Sequence, residues 1–301
     1  MSEGARATAL SLFLLFVLSN AVAAQGPASP PPPGRLIDVG GHRVHLYCTG
    51  EGSPTVLIVG GFSFDWALVQ PSIAKFTKVC TYDVAGTAWS DAGPSLKCLD
   101  RVNEVHNLVE NAPIKRPFLF VGFSIGALVG RRYVSLYPND IAGMVIVDHA
   151  FLPAGDDGLP PAKPPGDSDS PPVLIEKTPI ILTTEETSDF RKLPDRVQEL
   201  HHWAESRKPA PATAETAKDC LSELESTKKT MHPLGHIPLV VISTGNTSAG
   251  YGALQHSLLL LSANSKQLMA ERSFHSVEID QPEVVIRAIT QAVQAVKTLE
   301  P

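Results

Sequence analysis

The sequence has no run of basic residues, and its apolar runs are short. Its 25 lysines and arginines are outnumbered by 31 acidic residues, which gives a formal net charge of −6. Nucleic acids and anionic membranes attract clustered basic side chains, so neither is expected as a partner. The apolar stretch at residues 10–18 is shorter than the roughly 20 residues that cross a bilayer. We therefore expect no stable membrane span.

Metal-binding patterns are also missing. The chain has four cysteines, and no pair of them has the C-x-x-C spacing. His201 and His202 are adjacent and would point to different faces of a helix, while His232 and His236 stand in a Pro/Gly-containing loop. The sequence thus predicts neither a metal nor a cofactor, and the expected ligand is a small molecule.

The start of the chain has the three parts of a secretory signal peptide. Arg6 precedes the apolar stretch, and the small residues 21–24 offer a cleavage site of the A-x-A type. We predict a signal peptide over residues 1–24 and a proline-rich spacer over residues 25–34. The protein is therefore expected in the secretory pathway or outside the cell.

A secreted chain with four cysteines can form two disulfides. Cys98 and Cys220 lie in polar segments and are the preferred pair, whereas Cys80 sits in an apolar strand-like segment and is interpreted as a buried thiol. Asn246 begins an Asn-Thr-Ser glycosylation sequon, a short motif that also occurs by chance.

Short apolar runs recur along the chain with helix-like stretches between most of them. This alternation predicts an α/β fold with a mostly parallel central sheet flanked by helices, because strands covered on both faces are continuously apolar. Two alternating segments joined by Gly40 and Gly41 predict a hairpin before the first of these runs. The predicted apolar strands cover residues 55–59, 78–83, 118–123, 143–148 and 237–243.

The alternation of apolar runs and helix-like stretches is interrupted between about residues 151 and 235. This part opens with a Pro/Gly/Asp-rich segment and then predicts two polar helices, near residues 189–207 and 213–230. An insertion between two core strands would lie over the carboxyl ends of the sheet, where ligands bind in open α/β folds. We therefore assign residues 35–301 to one domain with a cap inserted at about 151–235.

Ser124 stands in the sequence Gly122-Phe-Ser-Ile-Gly126, between an apolar strand and an amphipathic helix. This arrangement is typical of a nucleophile elbow, a tight turn that exposes the serine hydroxyl. A serine needs a base, and His275 follows the last strand-like segment in the expected order. The predicted nucleophile is Ser124 and the predicted base is His275.

The sequence identifies the acid that would orient His275 less clearly than it identifies the serine and the histidine. The predicted strand at residues 237–242 is followed by Ser243-Thr-Gly-Asn-Thr-Ser248, which has no carboxylate. Asp148, at the end of the strand after the elbow helix, is the remaining candidate for orienting His275. The alternative is that Asp148 only caps or pairs with the first loop of the cap.

Two backbone N–H groups are needed for an oxyanion hole. We assign one to Ile125, directly after the serine, and the other to Phe62, after Gly60 and Gly61. The alternative for the second segment is an ordinary glycine turn.

Together these motifs resemble the α/β-hydrolase fold superfamily, in the esterase/lipase-like branch that has a serine nucleophile. The resemblance rests on the elbow, on Tyr82-Asp83, on Val147-Asp148 and on the segment 280–283. It implies Ser124 as nucleophile, His275 as base and an acid after the sixth or seventh core strand. The chain departs from the common pattern at Phe123, at Gly60, at Val84, at residues 87–88 and in lacking a seventh-strand acid.

The sequence thus predicts a secreted serine hydrolase that cleaves carboxylic esters through an acyl-serine intermediate. The missing seventh-strand acid leaves a second hypothesis open. In that hypothesis the protein is a catalytically weakened relative that binds a small apolar ligand under the cap.

Overall fold

A computed structural model describes residues 29–93, 97–149, 189–206, 213–226, 232–245 and 249–299. The predicted signal peptide, the first part of the cap and the Asn246 sequon lie outside these residues. Of the predicted spacer, only its end is described.

The centre of the described chain is an eight-stranded sheet in the order β1-β2-β4-β3-β5-β6-β7-β8. The strands β1 and β2 form the predicted hairpin, β2 pairs antiparallel with β4, and all other neighbours are parallel. The prediction of a mostly parallel sheet is confirmed. The strands are β1 Arg35–Asp38, β2 Arg43–Thr49, β3 Val56–Val59, β4 Val79–Tyr82, β5 Phe118–Ser124, β6 Ile141–His149, β7 Leu239–Thr244 and β8 Ser265–Ala270.

Helices cover both faces of the sheet. The helices are α1 Gln70–Ile73, α2 Cys98–Asn111, α3 Ile125–Leu136, α4 Asp195–Ser206, α5 Thr213–Ser226, α6 Ala249–Ser257, α7 Val277–Asp280 and α8 Pro282–Leu299. One apolar core contains residues of α2 and α3, and the other contains residues of α1 and α8. Every residue of β3, β4 and β7 is buried, which explains their largely apolar sequences.

The helix α3 follows the elbow directly and ends just before Pro138, as its sequence pattern predicts. Proline disfavours helical backbone at the preceding residue and stops the helix there. The predicted polar helices of the cap correspond to α4, which begins six residues later than predicted, and to α5. None of the helices within the described ranges is long and apolar enough to cross a membrane.

Two disulfides are present. Cys98 at the start of α2 bonds to Cys220 in α5, as predicted. The interpretation of Cys80 as a free thiol is wrong, because it bonds to Cys48 on the neighbouring strand. These two residues are directly opposite each other in the antiparallel β2–β4 pair, a register that the sequence alone does not fix.

Candidate active site

The serine at the end of β5 has the strained backbone of an elbow. Ser124 has φ +53° and ψ −121°, a conformation that residues with a side chain rarely adopt. The flanking glycines are required by close backbone approach, since a Cβ on Gly126 would lie 1.9 Å from the Val59 carbonyl oxygen. A Cβ on Gly122 would lie 2.6 Å from the Cα of Ala127. The turn therefore presents the serine hydroxyl at the carboxyl end of the strand.

The structure brings Ser124, His275 and Asp148 together in one chain of hydrogen bonds. Ser124 Oγ lies 2.8 Å from His275 Nε2, and His275 Nδ1 lies 2.5 Å from Asp148 Oδ2. A carboxylate only accepts hydrogen bonds, so the shared proton of the second contact belongs to Nδ1. Nε2 is then an acceptor for the serine hydroxyl. The arrangement can remove a proton from Ser124 as the oxygen attacks.

Asp148 reaches the histidine because β6 is irregular at this point. The register of β5 against β6 passes from Phe123–Val147 to Ser124–His149, which leaves Asp148 as an extra residue. Its φ of +39° is also in the left-handed region. Extra residues of this kind turn a side chain away from its regular direction. The sequence has no clear signal for this bulge, although Asp148 is the only acid it offers at this strand end.

The far side of the Asp148 carboxyl is held by two residues that the sequence did not single out. Gln255 Nε2 donates to Asp148 Oδ1 at 2.9 Å, and Thr244 Oγ1 donates to the same atom at 3.4 Å. Asp148 is only 2% exposed. Two donors on one oxygen leave the other oxygen for His275 and fix the plane of the carboxyl. Gln255 is a polar residue within a helix, and its burial could not be read from the sequence.

The two residues assigned to the oxyanion hole line the same cavity as Ser124. Phe62 N–H donates to Asp65 Oδ2 at 2.9 Å, so in this structure it is directed at a side chain of its own loop. Ile125 is the first residue of α3, where backbone N–H groups lack partners within the helix. The positive end of the helix dipole is therefore next to the serine.

A buried network fixes the loop that carries Phe62. Ser63 N–H donates to Asp83 Oδ1 at 2.7 Å, and the Trp66 indole donates to the Gly60 carbonyl at 3.0 Å. Asp83, which follows β4, is completely buried. The loop is thus held by side chains of the core.

The cavity has a volume of about 240 Å³ and is lined by both apolar and ionisable residues. Among the ionisable ones, Asp65 accepts from His201 Nδ1 of helix α4 at 3.2 Å. Burial raises the pKa of the Asp65 carboxyl, and the contact with His201 opposes this shift. Burial also raises the pKa of Glu278 in α7 well above its ordinary value. The sequence did not indicate a role for any of these three residues, because contacts between distant segments of the chain depend on tertiary structure.

Comparisons with known proteins agree with this architecture. A family model described as "alpha/beta hydrolase fold" matches residues 54–268. The uncharacterised protein YqjL of Bacillus subtilis (strain 168) is 26% identical over 250 residues, which are 80% of this chain and 83% of that protein. The monoacylglycerol lipase ABHD6 of Rattus norvegicus is 28% identical over 147 residues, which are 46% of this chain and 43% of that protein.

Among solved structures, a thermophilic esterase from Thermogutta terrifontis superimposes with a TM-score of 0.60 at 16% identity. The match covers 85% of this chain and 94% of the esterase. At this identity the likeness concerns the fold alone. The family match covers well over half of the chain and includes the elbow and Asp148, so this protein belongs to the α/β hydrolase fold family, with hydrolase chemistry as its general function.

Proposed function

We propose that this protein is a secreted serine hydrolase that cleaves carboxylic esters through an acyl-serine intermediate. The observation that supports this most is the continuous hydrogen-bonded chain from Ser124 Oγ through His275 to Asp148, with the serine held in a strained turn. Such a chain provides a nucleophile, a base and an orienting acid. An ordinary surface serine has no need of a strained backbone.

In the proposed mechanism Ser124 Oγ attacks the ester carbonyl carbon while its proton passes to His275 Nε2. The imidazolium that forms is stabilised by Asp148 through Nδ1–H. The tetrahedral intermediate then breaks its bond to the alcohol oxygen, which takes the proton from Nε2. A water molecule then attacks the acyl carbon and gives its proton to His275 Nε2. The second tetrahedral intermediate breaks its bond to Ser124 Oγ, which takes this proton back as the carboxylic acid is released.

We assign stabilisation of the negative carbonyl oxygen that forms during attack to the backbone N–H groups of Ile125 and Phe62. The Phe62 N–H is bonded to Asp65 Oδ2 and must turn from this carboxyl to the oxyanion during reaction. Hydrogen bonds of this kind often reach their productive geometry only when substrate is bound.

The alternative of a ligand-binding protein without catalysis was motivated by the missing acid after β7. The contact of 2.5 Å between Asp148 Oδ2 and His275 Nδ1 weakens this motivation. The ester class is supported by the proposed serine nucleophile and by the sequence relative named as a monoacylglycerol lipase.

The test is hydrolysis of p-nitrophenyl acetate and butyrate by the purified protein and by Ser124→Ala. We expect a burst of p-nitrophenol that approaches one equivalent per protein, followed by steady turnover, because p-nitrophenol is a good leaving group and makes acylation faster than deacylation. Turnover by Ser124→Ala equal to that of the wild type would overturn the proposal. Binding of the esters without turnover by the folded wild type would favour the ligand-binding alternative.

Secretion is supported by the signal-like start of the sequence and by the two disulfides, which persist in oxidising compartments. Expression of the full chain should release a protein that begins near Gln25, as N-terminal sequencing would show. Retention inside the cell with an intact N-terminus would contradict this part of the proposal.

A further inference from the structure

Three polar residues of the cavity wall take no direct part in the proposed bond-making steps. Asp65 begins a short 3-10 helix after the Phe62 loop, His201 lies in α4, and Glu278 lies in α7, three residues after His275. All three line the cavity that contains Ser124. They come from three separate segments of the chain, so their assembly is a property of the fold.

The first two residues form a fixed pair. Asp65 accepts from His201 Nδ1 through Oδ1 and from the Phe62 N–H through Oδ2. The imidazole of His201 also packs edge-on against the Phe62 ring at 5.4 Å and lies 4.6 Å from the Phe190 ring. These contacts hold an imidazole of the cap in one orientation at the cavity wall.

Glu278 is different because part of its carboxyl is left unsatisfied. The side chain is 2% exposed, and its Oε2 has no hydrogen-bond partner among the residues that the structure describes. Burial raises the pKa of this carboxyl, and the nearby Asp65, Asp280 and Asp148 raise it further. A neutral carboxyl both donates and accepts hydrogen bonds. The terminal torsion of glutamate is soft, so either oxygen can be turned toward the cavity.

Apolar side chains line much of the rest of the cavity, among them Val84, Phe123 and Val129. We propose that Asp65, His201 and Glu278 form a polar subsite that binds a hydroxyl group of the ester substrate. The inference rests on the proposed function, and it adds the substrate class: esters whose acyl or alcohol part carries a hydroxyl near the scissile bond. Such a hydroxyl would supply a hydrogen-bond partner for Glu278 Oε2. Burial of a polar atom without a partner is unfavourable.

The acidic side chains at this wall disfavour an anionic group. A carboxylate or phosphate would lie beside Asp65, and Arg101, which lines the same cavity, already pairs with Glu104 at 3.4 Å. A hydroxyl donates one hydrogen bond and accepts others without adding charge. It therefore complements Glu278 Oε2, which is unpaired among the described residues, and an imidazole held by Asp65.

The experiment compares kcat/KM for ethyl butyrate, 2-hydroxyethyl butyrate and ethyl 3-hydroxybutyrate. We expect the wild type to prefer one hydroxylated ester by about tenfold or more, which is a typical effect of a satisfied polar contact. The preferred ester shows whether the hydroxyl belongs to the alcohol or the acyl part. Glu278→Leu should reduce the preference to within about threefold, while Glu278→Gln, which still donates and accepts, should keep most of it.

The matched control is Glu283→Leu, a nearby glutamate on α8 that is exposed and outside the cavity. This variant should keep the wild-type preference. A wild type without preference for either hydroxylated ester would overturn the subsite, and so would a Glu278→Leu variant that loses equal activity on all three esters. Preference for 2-aminoethyl butyrate over both hydroxylated esters would also contradict it.

The wild-type measurement tests the subsite even if Glu278→Leu does not fold. Failure of the proposed function has a separate signature, since it would appear as hydrolysis of plain ethyl butyrate that does not depend on Ser124.

Discussion

Two groups of serine, histidine and aspartate stand out among the described residues, one facing the cavity and the other buried beside it in the core. In the buried group, Asp83 Oδ2 lies 2.7 Å from His45 Nδ1 and accepts from Ser63 Oγ at 3.1 Å. In the cavity group, the order of contacts is serine to histidine to aspartate. The same residue types are therefore arranged differently.

The ring nitrogens show what the difference means. In the buried group His45 Nε2 accepts from the Gly34 N–H at 3.2 Å, and Nδ1 is directed at Asp83. Ser63 Oγ also lies 3.4 Å from His45 Nδ1, but that nitrogen is bonded more closely to Asp83 and Nε2 is occupied by Gly34, so this imidazole offers the serine no free nitrogen. In the cavity group His275 Nε2 faces Ser124 Oγ. The comparison indicates that access and the partner of Nε2, rather than composition, distinguish the serine proposed as nucleophile from the structural one.

The largest expected effect is on turnover. Ser124→Ala and His275→Ala should each lower kcat for p-nitrophenyl butyrate by about 10⁴-fold or more, because removing either residue disables the whole unit. Ser63→Ala is the matched control and should stay within about tenfold of the wild type. A Ser63→Ala variant as inactive as Ser124→Ala would remove the distinction between the two groups.

Asp148→Asn should lower kcat by about 10³- to 10⁴-fold with little change in stability. Gln255 and Thr244 both donate to Oδ1, so the carbonyl of an asparagine would turn toward them. Its NH₂ group would then donate to His275 Nδ1 and force the proton onto Nε2, where it blocks the serine. Rate measurements with thermal unfolding as the folding control test this, and a loss below about tenfold would contradict the assigned role.

The corresponding change in the buried group should affect stability instead. Asp83→Ala leaves His45 and the Ser63 N–H without their buried partner, and breaking such a pair costs about 3–5 kcal/mol of unfolding free energy. The effect is measured by denaturant unfolding. Loss of less than about 1 kcal/mol would show that the buried group is not a structural element.

The smallest expected effect concerns the pH dependence of stability. The folded pKa of Glu278 is raised above its ordinary 4.5 by burial first and by neighbouring carboxylates second. Its contribution to stability is therefore fully present below about pH 4.5 and decreases as pH rises toward the folded pKa, since only the unfolded chain then ionises freely. Glu278→Gln should flatten the decline in unfolding free energy above pH 4.5, and an unchanged slope would contradict the neutral carboxyl.

Much of the fold could be predicted from the sequence because its strands are buried on both faces. The glycines around Ser124 also indicated the elbow, since close backbone approach leaves few alternatives. Chain order and strand-end position were enough to bring His275 and Asp148 forward as candidates.

Other features depend on tertiary contacts that a local pattern does not contain. The Asp148 bulge and the Cys48–Cys80 pair depend on strand register. Gln255, His201 and Glu278 look like ordinary polar helix residues until their neighbours in space are known. The sequence pattern also did not indicate that Asp65 would accept from the Phe62 N–H.

The most direct test of the central claim is labelling of the purified protein with a fluorophosphonate probe, followed by peptide mapping. The account predicts modification of Ser124 and none of Ser63, with labelling lost in both Ser124→Ala and His275→Ala. Absence of labelling in the folded wild type, or labelling that persists in Ser124→Ala, would contradict the claim that the cavity group activates its serine.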